Sequence, residues 1–161
     1  MGRTLLITGG AGFIGSHAVE HWVRQYPEDR LVILDKMTYA GDAANLDACR
    51  GLGQWELVVG DICDADLVRR LFEQHAIDGV MHLAAESHVD RSISNPMEFV
   101  RTNVLGTVTL LNAALEAWGE HADRRRHLFY HISTDEVYGS LGADGLCLLY
   151  TSDAADDTPC V

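Results

Sequence analysis

The chain has 161 residues, 47% of them hydrophobic, and a formal net charge of −12. That is about one domain's length with enough apolar content for a real core, and so acidic a balance argues against a nucleic-acid or anionic-membrane surface, which needs clustered Lys and Arg. No apolar stretch approaches the roughly eighteen residues that span a bilayer, no signal-peptide pattern opens the chain, and the four cysteines (Cys49, Cys63, Cys147, Cys160) form no CxxC or zinc spacing, so reduced thiols in a cytoplasmic protein are expected.

The first element is a buried strand over Leu5 to Thr8. It runs into Thr8-Gly9-Gly10-Ala11-Gly12-Phe13-Ile14-Gly15, which opens a helix reaching about Arg24. A glycine-rich turn between a strand and a helix is a phosphate cradle. Gly9 permits the sharp turn, Gly12 lets the backbone approach a pyrophosphate, and Gly15 lets the helix pack closely on the strand. The helix N-terminus adds free N–H groups and a partial positive charge. Ile14, Ala18, Trp22 and Val23 form the apolar face expected of this helix. His17 and His21 lie one turn apart on it, but no carboxylate or Cys cluster joins them, so no metal site is expected.

Leu31 to Leu34 is the second strand, with Asp35 at its carboxyl end. An acid about twenty residues after the glycine turn bonds the adenosine ribose hydroxyls and favours NAD over NADP; Lys36 beside it weakens that preference. A short helix is expected from Ala43 to Arg50. Leu57 to Gly60 is the third strand, followed by Asp61 and Ile62, which either bond and pack on an adenine ring or cap a turn. Asp64 caps a helix whose inner face is Leu67, Val68, Leu71 and Phe72. Gly79 to Leu83 is the fourth strand, and Ala84-Ala85 gives a smooth floor for a flat cofactor. Phe99 to Trp118 reads as one helix with Val104, Val108, Leu111, Leu115 and Trp118 at helical spacing. Arg124-Arg125-Arg126, the only basic run, reads as a helix C-terminal cap or a solvated turn. Leu128 to Ile132 is the fifth strand, ending in Ser133-Thr134-Asp135-Glu136.

Strand and helix alternate throughout, which predicts an α/β fold of the Rossmann type: a doubly wound parallel sheet of order 3-2-1-4-5, truncated after about strand five. Gly12, Asp35, Asp61, Ala84 and Thr134 all fall at the strand carboxyl ends, where such sheets bind ligands. Adjacent acids such as Asp135 and Glu136 are usually solvent-facing caps. Beside a nicotinamide they can instead serve as a general acid and a general base, if burial raises one pKa toward neutrality.

The segments Gly9 to Gly15, Asp35-Lys36-Met37-Thr38-Tyr39-Ala40-Gly41, His82-Leu83-Ala84-Ala85-Glu86-Ser87-His88-Val89-Asp90-Arg91-Ser92 and His131 to Gly139 resemble the N-terminal part of the dTDP-glucose 4,6-dehydratase family. This family belongs to the extended short-chain dehydrogenase/reductases. The resemblance runs from about Arg3 to Gly139. It implies a redox-neutral lyase with bound NAD, in which a hydride leaves C4 of a hexose, water is lost across C5–C6, and the hydride returns to C6. It further implies that Asp135 protonates the departing C6 hydroxyl, Glu136 removes the C5 proton, Thr134 bonds the C4 oxygen region and Ser87 touches the hexose. Phe13, Ile14, Asp35, Lys36, Met37, Thr38, Asp61, Ile62, Leu83, Ala84, Ala85, Glu86, Ser87 and Thr102 would line the NAD site. The full-length parent would be a homodimer acting on a nucleotide sugar, with no nucleic acid and no membrane as partner.

Two features depart from the family. Its Tyr-x-x-x-Lys pair is missing, since no Lys follows Lys36. Residues 147–161 resemble no family continuation but do resemble the conceptual translation of a transposase adaptor. The expectation is therefore a partial NAD-binding domain over 1–146 and a foreign tail over 147–161. The alternatives are another sugar-nucleotide enzyme of the superfamily, such as a 4-epimerase, which would not need the Asp135–Glu136 pair, or a non-catalytic NAD-binding module.

Overall fold

The computed structural model describes residues 2–119 and 126–133. The chain divides into a unit over 1–131 and a second over 132–161. Only Ile132 and Ser133 of the second are described, so Thr134, Asp135, Glu136 and the 147–161 tail lie outside the described residues.

The first unit is a parallel sheet of order β3-β2-β1-β4-β5, as expected. Its strands are β1 (Thr4–Thr8), β2 (Arg30–Asp35), β3 (Gln54–Val59), β4 (Gly79–His82) and β5 (Leu128–His131). Helices α1 (Phe13–Gln25) and α2 (Ala65–His75) form two of the crossovers, and a 3₁₀ helix (Ala43–Cys49) forms part of the connection from β2 to β3. Between β4 and β5 come α3 (Val89–Ser94), α4 (Pro96–Phe99), a π-helical turn (Val100–Gly106) and α5 (Thr107–Trp118).

The two-residue period of the strands sorts their side chains onto two faces. Leu6, Val32, Leu34 and Val80 meet Val68, Leu71 and Phe72 of α2 and Leu110, Ala113 and Ala114 of α5. Leu5, Ile7, Leu31 and Ile33 meet Val19 and Val23 of α1, with Leu46 and Cys49 of the 3₁₀ helix. The central strands β1 and β2 are thus buried on both faces, which is why they read as unbroken apolar runs. At the sheet's bottom edge Asp78 accepts from Thr4 N–H at 3.0 Å and pairs with Arg126, the last residue of the basic run. Burial pushes the Asp78 carboxyl up, but the Arg126 guanidinium and the Thr4 N–H outweigh it and hold the pKa low.

Three expectations need correction. The segment Phe99 to Trp118 is helical throughout, with the π turn inside it and α4 running into it, but its core face is different: Gly106, Leu110, Ala113 and Ala114 are buried, whereas Val104, Val108, Leu111 and Leu115 are exposed. Apolar residues line both sides of α5, so periodicity alone does not choose the inward side. Small residues do, because they let the helix axis come close: a Cβ on Gly106 would overlap the Ile62 side chain. On α1, Ile14 is 67% exposed, and the inward residues are Gly15, Ser16, Val19 and Val23. The helix starts at Phe13 with Gly15 pressed onto the turn before it, and that contact turns Ile14 outward. Finally, β3 begins at Gln54 rather than Leu57. As an edge strand it tolerates Glu56, whose carboxylate pairs with Arg30 at 2.9 Å.

Leu110→Ala should cost about 2–5 kcal/mol in urea unfolding, the range for a fully buried leucine. Leu115→Ala, measured in dilute solution, should stay within about 0.5 kcal/mol. Equal effects would restore the face expected from periodicity.

Candidate cofactor-binding site

The glycine turn sits where β1 hands over to α1, at the carboxyl edge of the sheet. Gly9 has φ +70°, and a Cβ there would lie 2.7 Å from Ala84 N. Gly15 is equally confined, since its Cβ would overlap the Gly9 carbonyl oxygen. The cap residue Gly12 offers no side chain to the first turn of α1. The first N–H groups of that turn have no carbonyl partner within the helix and point outward with the positive end of its dipole. A backbone cradle with no room for a Cβ at Gly9 or Gly15 and with donors facing out fits a pyrophosphate. Phe13, 78% exposed, and Ile14 flank it.

Asp35 ties this cradle to the end of β2. Its Oδ2 accepts from Ala11 N–H at 2.9 Å and its Oδ1 from Met37 N–H at 2.9 Å. Ala11 C=O in turn accepts from Asp42 N–H at 3.1 Å and from Asn45 Nδ2 at 2.8 Å. Met37 takes a left-handed backbone, φ 55°, to turn the loop back, and Gly41 lies so close that a Cβ would be 2.7 Å from Asp35 Oδ1. Asp35 is buried, and each carboxylate oxygen keeps lone-pair capacity for a ribose hydroxyl.

At the end of β3, Asp61 caps a turn through Cys63 N–H at 2.9 Å and meets Lys36 Nζ at 3.0 Å. Burial pushes its carboxyl up, but the Cys63 N–H and Lys36 more than offset this and keep its pKa below the ordinary value. Ile62 is buried in the core. Thr38, Ala85 and Ser87 are exposed, while Leu83, Ala84 and Thr102 are partly buried. The structure therefore brings the glycine turn, Asp35, Lys36, Asp61 and Ala84 to one edge.

The end of β4 is organised by a hydrogen-bond line through Thr8, His82, Thr107 and Asn103, a role that sequence alone did not assign to them. Ala84 N–H donates to Thr8 Oγ at 3.3 Å, and Thr8 Oγ lies 2.7 Å from His82 Nδ1. His82 Nε2 lies 2.9 Å from Thr107 Oγ, which donates to Asn103 C=O at 2.7 Å. Because the Thr107 proton is committed to that carbonyl, Nε2 carries the imidazole proton and Nδ1 accepts from Thr8. Asn103 then clamps the Glu86 backbone from both sides, at 2.8 Å to its N–H and 2.9 Å to its C=O. One chain of hydrogen bonds thus runs from β1 through β4 and the π turn to the loop over Ala84 and Glu86. Polar residues inside apolar stretches, Thr8 and His82, were the legible signal. The buried Glu86 carboxylate faces Tyr39 Oη at 3.4 Å and Arg91 Nε at 3.8 Å, and Arg91 stacks over the Tyr39 ring at 4.1 Å.

Burial, with the nearby His131, lowers the His82 pKa to about 4. A group whose folded pKa lies below its unfolded value of 6.5 supports the fold fully above pH 6.5 and loses that support as pH falls toward 4. The loss from this residue is on the order of 3 kcal/mol. Chemical denaturation across pH 7 to 4 should show it, and His82→Gln should flatten the slope in that window. An unchanged slope would refute the assignment of a neutral His82.

Among the described residues no cluster of three or more His, Cys, Asp or Glu is placed to hold a metal, and no helix is long and apolar enough to cross a membrane.

Residues 6–146 match the family described as GDP-mannose 4,6 dehydratase. The dTDP-glucose 4,6-dehydratase of Salmonella typhimurium is 48% identical over 139 residues, which cover 85% of this chain and 38% of the relative. That of Neisseria meningitidis is 45% identical over 159 residues, covering 98% of this chain and 44% of the relative. Among solved structures, the dTDP-glucose 4,6-dehydratase DesIV of Streptomyces venezuelae with NAD bound superposes with a TM-score of 0.75 at 46% identity, covering 88% of this chain and 42% of that one. A UDP-glucose-4-epimerase of Stenotrophomonas maltophila with bound NAD gives a TM-score of 0.71 at 32% identity, covering 85% of this chain and 38% of that one. The chain thus spans about two fifths of the length of these relatives.

Proposed function

The chain belongs to the GDP-mannose 4,6 dehydratase family, and we propose that it is the NAD-binding part of a lyase that converts dTDP-glucose to a 4-keto-6-deoxy sugar nucleotide. The observation that carries the reading is the cradle at Gly9, Gly12 and Gly15 joined to Asp35, in a chain 45–49% identical to dTDP-glucose 4,6-dehydratases. Both dehydratase and epimerase neighbours carry NAD in their structures. The dehydratase reading is preferred over a 4-epimerase because the relatives at 45–49% identity are dTDP-glucose 4,6-dehydratases; among the superposed structures DesIV reaches 46%, while the epimerase and the Bacillus anthracis dehydratase both stand at 32%. Asp135 and Glu136 also supply the acid and base that loss of water requires.

The residues divide the work as follows. The first turn of α1 holds the pyrophosphate, Asp35 bonds the adenosine ribose, and Ala84 and Ala85 form the floor beneath the flat ring system. Asn103 holds the Glu86 backbone, and through it the loop that carries Ser87 toward the hexose. Bound NAD supplies a hydride acceptor that is restored at the end of each turnover. Thr134 positions the C4 oxygen, Glu136 takes the C5 proton and Asp135 gives a proton to the leaving C6 hydroxyl, so water departs with no net redox change. The Tyr-x-x-x-Lys pair that begins C4 oxidation in this family is not in the chain, whose only lysine is Lys36. The 161 residues therefore bind cofactor without turnover. The protein acts in the cytoplasm, a reading that the free Cys49 and Cys63 support. Its net charge of −12 supports a small-molecule substrate rather than nucleic acid.

The parent is a homodimer in this reading. Val100, Val104, Val108, Leu111 and Leu115 make an exposed apolar stripe along the π turn and α5, and a second copy of the same stripe would cover it. Sedimentation should show self-association that Leu111→Asp abolishes; a concentration-independent monomer would refute the dimer.

Binding of NAD followed by calorimetry tests the function directly. Asp35→Ala should weaken NAD by about 1–3 kcal/mol, the scale of a lost charged hydrogen bond. An unaltered chain that binds no NAD would overturn the reading, and detectable conversion of dTDP-glucose by the 161-residue chain would overturn its inactive status.

A further inference from the structure

Lys36 follows Asp35 at the end of β2, beside the carboxylate assigned to the adenosine ribose. A cation beside that acid ordinarily accommodates a ribose 2′-phosphate and shifts preference toward NADP. Here the ammonium is already engaged. Its Nζ lies 2.9 Å from Glu98 Oε1 and 3.0 Å from Asp61 Oδ2. Asp61 belongs to the turn after β3, and Glu98 to α4, 62 residues further along the chain than Lys36. Arg101, on the π turn, also approaches Asp61 Oδ2, at 3.8 Å.

We propose that Glu98 is a specificity-determining residue: with Asp61 it holds the chain's only lysine and withholds it from a 2′-phosphate, so that the end of β2 selects NAD. This rests on the NAD-binding reading above. An ammonium has three protons to give, and two carboxylates claim it from different sides. The Glu98 and Asp61 hydrogen bonds raise the Lys36 pKa, so the group stays a cation and the engagement persists at neutral pH. The local charge is nonetheless negative. Asp35, Asp61 and Glu98 contribute three carboxylates against Lys36 and Arg101. A 2′-phosphate, doubly charged near neutrality, would enter a field of its own sign and find the nearest cation occupied.

The Lys36–Glu98 pair is partly solvent-exposed, 42% and 31% at the two side chains, and such pairs are individually weak. It follows that losing Glu98 leaves the fold intact while releasing half of the hold on Lys36. Glu98 also reaches the site from a segment that periodicity assigned to no helix. That explains how a chain with Lys next to its ribose-binding acid can still prefer NAD.

Glu98→Gln should raise NADP affinity about tenfold, the gain from one charge-assisted contact. NAD affinity should stay within about twofold, and Glu116→Gln, which removes a remote exposed charge, should alter neither. Both cofactors are to be titrated by calorimetry on the full chain, with circular dichroism to verify folding. Adding Lys36→Ala to E98Q should erase the gain. As an independent readout, biosynthetic incorporation of ¹³C,¹⁵N-lysine labels this single lysine without altering it, and its side-chain NMR signal should respond to NADP in E98Q and not in the parent. A folded E98Q with an unchanged NAD-to-NADP ratio overturns the proposal while leaving NAD binding standing. A gain that survives the loss of Lys36 likewise overturns it. An unaltered chain that binds neither cofactor overturns the underlying NAD reading instead.

Discussion

The backbone of Gly9 passes between Ala84 on one side and Gly15 on the other, with no space for a side chain at either glycine. Most of the site follows from that contact. It brings the first turn of α1 down onto the end of β1 and brings the end of β4 against the same turn. One cradle therefore has a floor from another strand. Packing at this density is unforgiving, since an added methyl has no void to enter. The glycines are consequently a requirement of the sheet's geometry as well as of any phosphate that binds there.

Around that contact the polar groups form two connected systems. The Asp35 carboxylate fastens the glycine turn to the β2 loop through Ala11 and Met37. His82 fastens β1 and β4 to the π turn through Thr8 and Thr107, and Asn103 continues the line to Glu86. Each system centres on a buried group, Asp35 in one and His82 in the other, held by hydrogen bonds to its neighbours, and buried polarity that finds partners rigidifies a structure rather than weakening it. The exposed groups behave differently. Lys36, Asp61, Glu98 and Arg101 share charge loosely at the rim, where solvent screens each pair and a charged ligand can compete.

The helical segment between β4 and β5 shows how one stretch can serve two surfaces. Its small residues, Gly106, Ala113 and Ala114, face the sheet with Leu110, while Val104, Val108, Leu111 and Leu115 face outward. The π turn accommodates an irregular helical register and places Asn103 and Thr107 at the end of β4, where the His82 line needs them.

Strand order, the position of the glycine turn, the acid at the end of β2 and the Asp64 helix cap were all legible in the sequence. Each depends on residues adjacent in the chain or on the alternation of elements, and handedness leaves few topologies for that alternation. Specific segments of sequence also carried the family. Tertiary structure decided the inward face of α5, the outward turn of Ile14, the role of His82 and the engagement of Lys36 by Glu98. In each of these the outcome hangs on a partner from a distant element: Ile62 against Gly106, Gly9 against Gly15, Thr107 against His82, and a carboxylate 62 residues away against Lys36. Periodicity reports which residues are apolar, but only the fold determines which apolar face meets the sheet and which charge meets its counterpart.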